Sequence, residues 1–135
     1  MAKLDCLDEN HRVYPVNMVS NYGKPKVSIK SGLTMSNGKE IPLLGLGTFQ
    51  GNGEVMKAAL QYSAKAGYRH IDTAKLYGNE KEIGEAIKTC GVNRDELFVT
   101  TKLWNDQHDH VKKAFDDSLN DLDCGHIDMY LVHSP

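Results

Sequence analysis

Cysteine is scarce in this chain: Cys6, Cys90 and Cys124 are the only three in 135 residues, far apart and without a Cys-x-x-Cys pair. Such a set argues against a disulfide framework or a zinc knuckle and suits a reducing compartment. No apolar run approaches the roughly 20 residues of a membrane-spanning helix. Neither sign of charge prevails, since 16 Lys and Arg stand scattered against 18 Asp and Glu, for a net charge of -2. Nucleic acids and anionic membrane surfaces are therefore not expected as partners. The first ten residues mix Lys3 with Asp5, Asp8 and Glu9, and no apolar core follows. A secretory leader is not expected, and the cytoplasm is the expected location.

What is present has the balance of a globular protein, with 40% hydrophobic and 25% charged residues. Residues 1–26 show no sustained period and close on the turn-rich Asn21-Tyr22-Gly23-Lys24-Pro25, so they read as an irregular extension. From Val27 onward order is expected. Asn37-Gly38 between Met35 and Ile41 predicts a β-hairpin. Leu43 to Gly47 then reads as a buried strand. Glu54 to Ala66 reads as a helix with Val55, Met56, Ala59, Leu60 and Ser63 inward and Gly67 as its stop.

Tyr68–Asp72 predicts a second strand, and Glu80–Lys88 a second helix with Ile83, Ala86 and Ile87 inward and Asn79 as N-cap. Leu97–Lys102 is a third strand. Asp109–Leu122 is a third helix with Val111, Phe115, Ser118, Leu119 and Leu122 inward, and Ile127–His133 is a fourth strand. Strict alternation of apolar strands with helices predicts parallel strands of an α/β protein. An open doubly wound sheet and a segment of a (β/α)8 barrel both meet that description.

The ends of the strands carry the chemistry. The second strand ends in His70-Ile71-Asp72-Thr73-Ala74, with Tyr77 five residues past Asp72; the third ends in Lys102 and the fourth in His133. Each has a bland explanation when taken singly: a turn-capping Asp, a half-buried Tyr, a solvated Lys, a core-edge His. Four such groups arriving at one rim from consecutive strands fit better with the C-terminal face on which barrels build their sites. An Asp beside a Lys forms an ion pair that fixes the ammonium, and a fixed cation beside a phenol favours loss of its proton. A histidine could donate to the same substrate oxygen. Such a set stabilises charge developing on a carbonyl oxygen while hydride, which no side chain can supply, arrives from a cofactor.

The stretch from Gly67 through Asp72, Tyr77 and Asn79 to Glu80 resembles the second-strand signature of the aldo-keto reductases. Thr100-Thr101-Lys102-Leu103-Trp104 and Leu131-Val132-His133-Ser134-Pro135 resemble two further segments of that family. The resemblance implies a TIM barrel with Asp72, Tyr77, Lys102 and His133 as catalytic residues. It implies that Gly47, Thr48, Phe49 and Asp72 meet the nicotinamide end of NADPH, with NADH possible. Trp104 and His133 would line the pocket for a small carbonyl substrate, and the hairpin would cap the bottom of the barrel.

Gly45-Leu46-Gly47 does not open a Rossmann fingerprint, because Gln50 stands where its third glycine belongs. No metal site is expected; His108 and His110, with Asp106 and Asp109, open a solvent-facing helix, and Cys124 and His126 read as loop residues.

A (β/α)8 barrel typically takes about 250 residues, whereas the resemblance covers residues 27 to 135 and four strands. By the resemblance, the groups that grip the cofactor's pyrophosphate and adenosine come from later strands. Residues 27–135 therefore read as the N-terminal half of a barrel truncated after about four strands. Exposed edges would make such a half marginally stable and prone to self-association. A part of a full reductase is the favoured reading. A short product that pairs to complete a barrel and a non-catalytic half barrel that binds or oligomerises are the alternatives.

Overall fold

A computed structural model describes residues 27–135 and, ahead of them, the antiparallel pairing of Cys6–Leu7 (β1) with Val13–Tyr14 (β2). The remainder of the segment 1–26 read as irregular lies outside the described residues.

The Asn37-Gly38 signal makes its hairpin. Gly32–Thr34 (β3) pairs antiparallel with Glu40–Pro42 (β4). Gly38 takes φ 79°, a value that glycine reaches without steric cost, and the Lys39 amide donates to Asn37 Oδ1 at 3.0 Å.

Beyond the hairpin, strands and helices alternate as Gly45–Gly47 (β5), Gly53–Ala66 (α1), His70–Asp72 (β6), Glu80–Thr89 (α2), Phe98–Leu103 (β7), Val111–Leu122 (α3) and Met129–Val132 (β8). All neighbouring strands are parallel, in the order β5-β6-β7-β8. An open doubly wound sheet reverses its strand order at a switch point; here each strand adds on the same side, as in a barrel. Consecutive helices touch, α1 with α2 and α2 with α3, so they cover one face of the sheet.

The core lies between that face and the helices. Met56, Leu60 and Ala64 of α1 and Ile83, Ala86 and Ile87 of α2 pack with Ile71 of β6, Val99 of β7 and Leu122 of α3. Since side chains alternate along a strand, Ile71 and Val99 facing the helices puts His70, Asp72, Thr100 and Lys102 on the opposite, inner face. α1 stops where its sequence says: Gly67, at φ 99°, donates to Ala64 O at 3.1 Å while the Tyr68 amide donates to Ser63 O at 2.9 Å.

The strand read as buried from Leu43 to Gly47 begins at Gly45 and is largely open, with Leu43 and Leu44 47% and 46% exposed, and two inward helix assignments fail as well. Val55 is 74% exposed and Val111 47% exposed. Successive helix residues are rotated by about 100°, so with Met56 and Leu60 on the core, Val55 turns away. The third helix also starts later than its pattern predicts, because residues 105–110 form a 3-10 turn and leave Val111 at an open first turn.

Candidate active site

The C-terminal ends of β5 to β8 form one rim. Asp72 stands in register with Thr100, so Lys102 lies one pleat further along the same face of β7 and reaches back across the sheet. Its Nζ donates to Asp72 Oδ1 at 2.5 Å and to the Thr73 carbonyl at 2.9 Å. The Lys102 side chain is only 14% exposed, which leaves the ammonium little freedom to leave this pairing.

Past Asp72 the chain makes a 3-10 turn over Lys75–Tyr77, closed by Gly78 at φ 66°. This turn brings the Tyr77 ring over the rim, with Lys102 Nζ 5.3 Å from its centroid. The ring of Phe49 lies 5.1 Å from that of Tyr77, and the His133 imidazole meets Tyr77 edge-on at 5.7 Å. Trp104 continues the row, 5.2 Å from His133. His133 holds its place by extending the β8 ladder, its amide donating to Leu103 O at 3.0 Å. Its Nδ1 is buried and has no hydrogen-bond partner among the described residues.

The fold thus brings Asp72, Tyr77, Lys102, His133, Phe49 and Trp104 together. Gly47 is exposed at the end of β5, in register with Asp72. Thr48 sits differently from the others. It is fully buried, and its amide and hydroxyl both donate to the Asp72 carbonyl, at 3.1 and 3.2 Å, so it splices β5 to β6 beneath the rim.

Some residues near the rim escaped the sequence reading. Asn79 occupies the N-cap position of α2 but makes no side-chain cap bond; its amide turns toward the β5–α1 turn instead. Glu80, buried beside it, accepts from Thr101 Oγ1 at 2.7 Å and Ser118 Oγ at 3.2 Å. A serine within the apolar face of α3 was the only sequence sign of that network. Lys75 joins it, bound to Asp121 at 2.8 Å. Burial works against the Lys75 charge, but Asp121 and Glu80 outweigh it and hold its pKa above the ordinary lysine value.

One layer below, the His70 Nε2 lies 3.0 Å from Thr100 Oγ1, and its ring meets Phe98 edge-on at 5.3 Å. Burial holds the His70 pKa below its ordinary value, and the nearby Asp72 carboxylate opposes that shift without reversing it. Gly45 makes room for this ring, since a Cβ there would lie 2.9 Å from His70 Nδ1.

Among the described residues no three His, Cys, Asp or Glu side chains converge as a metal would require, and no helix is long and apolar enough to cross a membrane. Among the described residues Cys90 and Cys124 are free and buried. A cavity of about 660 Å³ opens at the opposite end of the sheet, between the hairpin and the starts of β7 and β8, away from the polar rim.

A sequential parallel sheet under one layer of helices, with an ion pair, a phenol and an imidazole gathered at its C-terminal rim, defines a segment of a (β/α)-barrel protein. The sequence profile described as the aldo/keto reductase family matches residues 43–135, and the chain belongs to that family. It is 47% identical over 103 residues to methylglyoxal reductase DkgA of Escherichia coli, covering 76% of this chain and 38% of that protein. It is 48% identical to glycerol 2-dehydrogenase (NADP(+)) of Saccharomyces cerevisiae, covering 76% of this chain and 33% of the yeast protein. The crystal structure of an aldo/keto reductase from Brucella melitensis superposes with a TM-score of 0.72 at 42% identity, over 78% of this chain and 41% of that one. An aldo-keto reductase from Bombyx mori in complex with NADP gives 0.71 at 38% identity, over 81% and 39%. The chain therefore spans well under half the length of these relatives.

Proposed function

We propose that this chain supplies the acid–base residues for reduction of a small aldehyde or ketone to an alcohol, with NADPH as the preferred hydride source and NADH as an alternative. The observation that carries the reading is the meeting of the Asp72–Lys102 ion pair with the Tyr77 and His133 rings at one rim. Residues 27–135 are on this view the N-terminal half of a reductase barrel and residues 1–26 an extension. Scattered cysteines and the free thiols of Cys90 and Cys124 suit a cytoplasmic setting.

The rim fits the nicotinamide end of the cofactor. Gly47 presents bare backbone there, with nothing within 4 Å of where a Cβ would stand, and Phe49 presents a flat apolar ring that is 63% exposed. These two and Asp72 would hold that end, with Thr48 supporting them from below. When bound, the reduced nicotinamide supplies hydride to the carbonyl carbon.

The substrate enters beside Trp104 with its oxygen toward Tyr77 and His133. Tyr77 Oη gives its proton to that oxygen as the alcohol forms and regains one from solvent. Lys102, fixed by Asp72 and the Thr73 carbonyl, offsets the negative charge left on the phenol. His133 orients the carbonyl through a ring N–H.

Tyr77→Phe is expected to lower turnover of methylglyoxal with NADPH by about 100-fold or more, with cofactor binding unchanged by fluorescence titration. Unchanged turnover would remove Tyr77 from the role of acid. A second reading, a half barrel that binds or self-associates without turnover, is favoured by Leu131 and Val132, exposed at 41% and 60% on the two faces of β8. An unaltered chain that oxidises no NADPH with any small carbonyl, and sediments as an oligomer, would select it.

A further inference from the structure

We propose that Asn79 is a positioning residue, which clamps the turn bearing Tyr77 to the turn bearing Phe49 and so sets where the proton donor stands. The inference rests on the reading of Tyr77 as that donor.

The Asn79 side chain is 4% exposed and fully engaged. Its Nδ2 donates to the Thr48 carbonyl at 2.8 Å and to the Gly51 carbonyl at 2.6 Å, and its Oδ1 accepts from Thr73 Oγ1 at 3.3 Å. Both amide protons thus go to one loop. That loop is strained, because between the two carbonyls Gln50 sits at φ 59°, a left-handed value that side-chain-bearing residues rarely hold without support. Across the loop its own backbone bonds from the Gly51 amide to Thr48 O at 3.1 Å. Asn79 holds the loop from outside, and α2 forgoes a side-chain cap at that position.

The tether to the site is short. Gly78 alone separates Asn79 from Tyr77, and the Tyr77 and Phe49 rings at the far side of the clamp lie 5.1 Å apart. On the other side of the same turn, Glu80 is bound to Thr101 of β7, next to Lys102. The Tyr77 turn is therefore fastened to the loop after β5 through Asn79 and to β7 through Glu80. The chemistry calls for an amide: two carbonyl oxygens need two donors, and an aspartate there would turn acceptors toward acceptors.

The test compares two ring pairs by nuclear Overhauser effects in the unaltered chain and in Asn79→Ala. The Tyr77–Phe49 contact is expected to fall by about half or more, as the clamp opens, while His70–Phe98, at 5.3 Å on the inner face, persists. A folded Asn79→Ala that keeps both contacts, with only a lower melting temperature, overturns the proposal and leaves Asn79 a stability residue. Should that variant not fold, amide exchange in the unaltered chain decides. The Asn79 side-chain protons should exchange at least about tenfold more slowly than those of exposed Asn52, and equal rates overturn the clamp. In turnover, Asn79→Ala should lower kcat by about tenfold while KM for the carbonyl moves less than about threefold. The ring contacts need no turnover, so a failure of the reductase reading and a failure of the clamp remain separate results.

Discussion

Among the described residues strand β7 has neighbours on both sides and β8 on one, and their burial follows that count more than their composition. Three of the six residues of β7 are polar (Thr100, Thr101 and Lys102), yet every residue but Lys102 is buried. β8 reads Met129-Tyr130-Leu131-Val132, more apolar, yet its last two residues are exposed. The difference lies in what covers each strand. β7 is bordered by β6 and β8, and α2 and α3 lie close by, so its threonines find partners in Glu80 and His70. A buried hydroxyl with a partner costs little, whereas an apolar side chain gains nothing where no neighbour covers it.

The helix cover of β7 can be lifted directly. At Gly84, where α2 crosses α3, an added Cβ would stand 2.0 Å from the Leu122 carbonyl oxygen, and that atom is backbone. Gly84→Ala must separate the two helices and is expected to cost about 3 kcal/mol in urea unfolding. A cost under about 1 kcal/mol would mean that the helix layer is looser than described.

Two valines report on the two strands. Val99 of β7 is fully buried and Val132 of β8 is 60% exposed. Val99→Ala should cost about 2 kcal/mol, and Val132→Ala should stay within about 0.5 kcal/mol. Equal losses would show that β8 is covered in solution.

The smallest effect concerns His70 on the inner face. Its folded-state pKa lies below the ordinary 6.5, so the unfolded chain takes up the proton first. The stability this imidazole contributes is intact above about pH 6.5 and declines as pH falls from there toward the folded-state pKa. Unfolding free energies measured at about pH 7 and about pH 5 should differ less in His70→Gln than in the unaltered chain. An identical difference would mean that another group sets the slope.

Much of the fold was legible because its signals are local. Asn37-Gly38 sets a turn, Gly67 ends a helix, and the apolar spacing in residues 80–88 sets a face, all through the conformations those residues themselves favour. The site was legible as a set of residue types at strand ends, and the fold gathers that set at one rim. Asn79 was not. An asparagine ahead of a helix reads as a cap, and nothing in its neighbours tells that its amide turns instead to a loop 28 residues earlier. Thr48 reads as a rim residue and lies beneath the rim, because its hydroxyl finds the Asp72 carbonyl.

The order of the elements, the alternation that sends Asp72 and Lys102 to one face, and the polar residue types at the strand ends are written in the chain itself. These follow from backbone periods and turn chemistry, which act within a few residues. That Lys102 reaches Asp72 from one pleat beyond its register, and where the Asn79 amide goes, was settled by the packed fold. Those outcomes depend on which surfaces and carbonyls arrive from distant parts of the chain. A side chain's partner is fixed by the neighbours that packing brings to it.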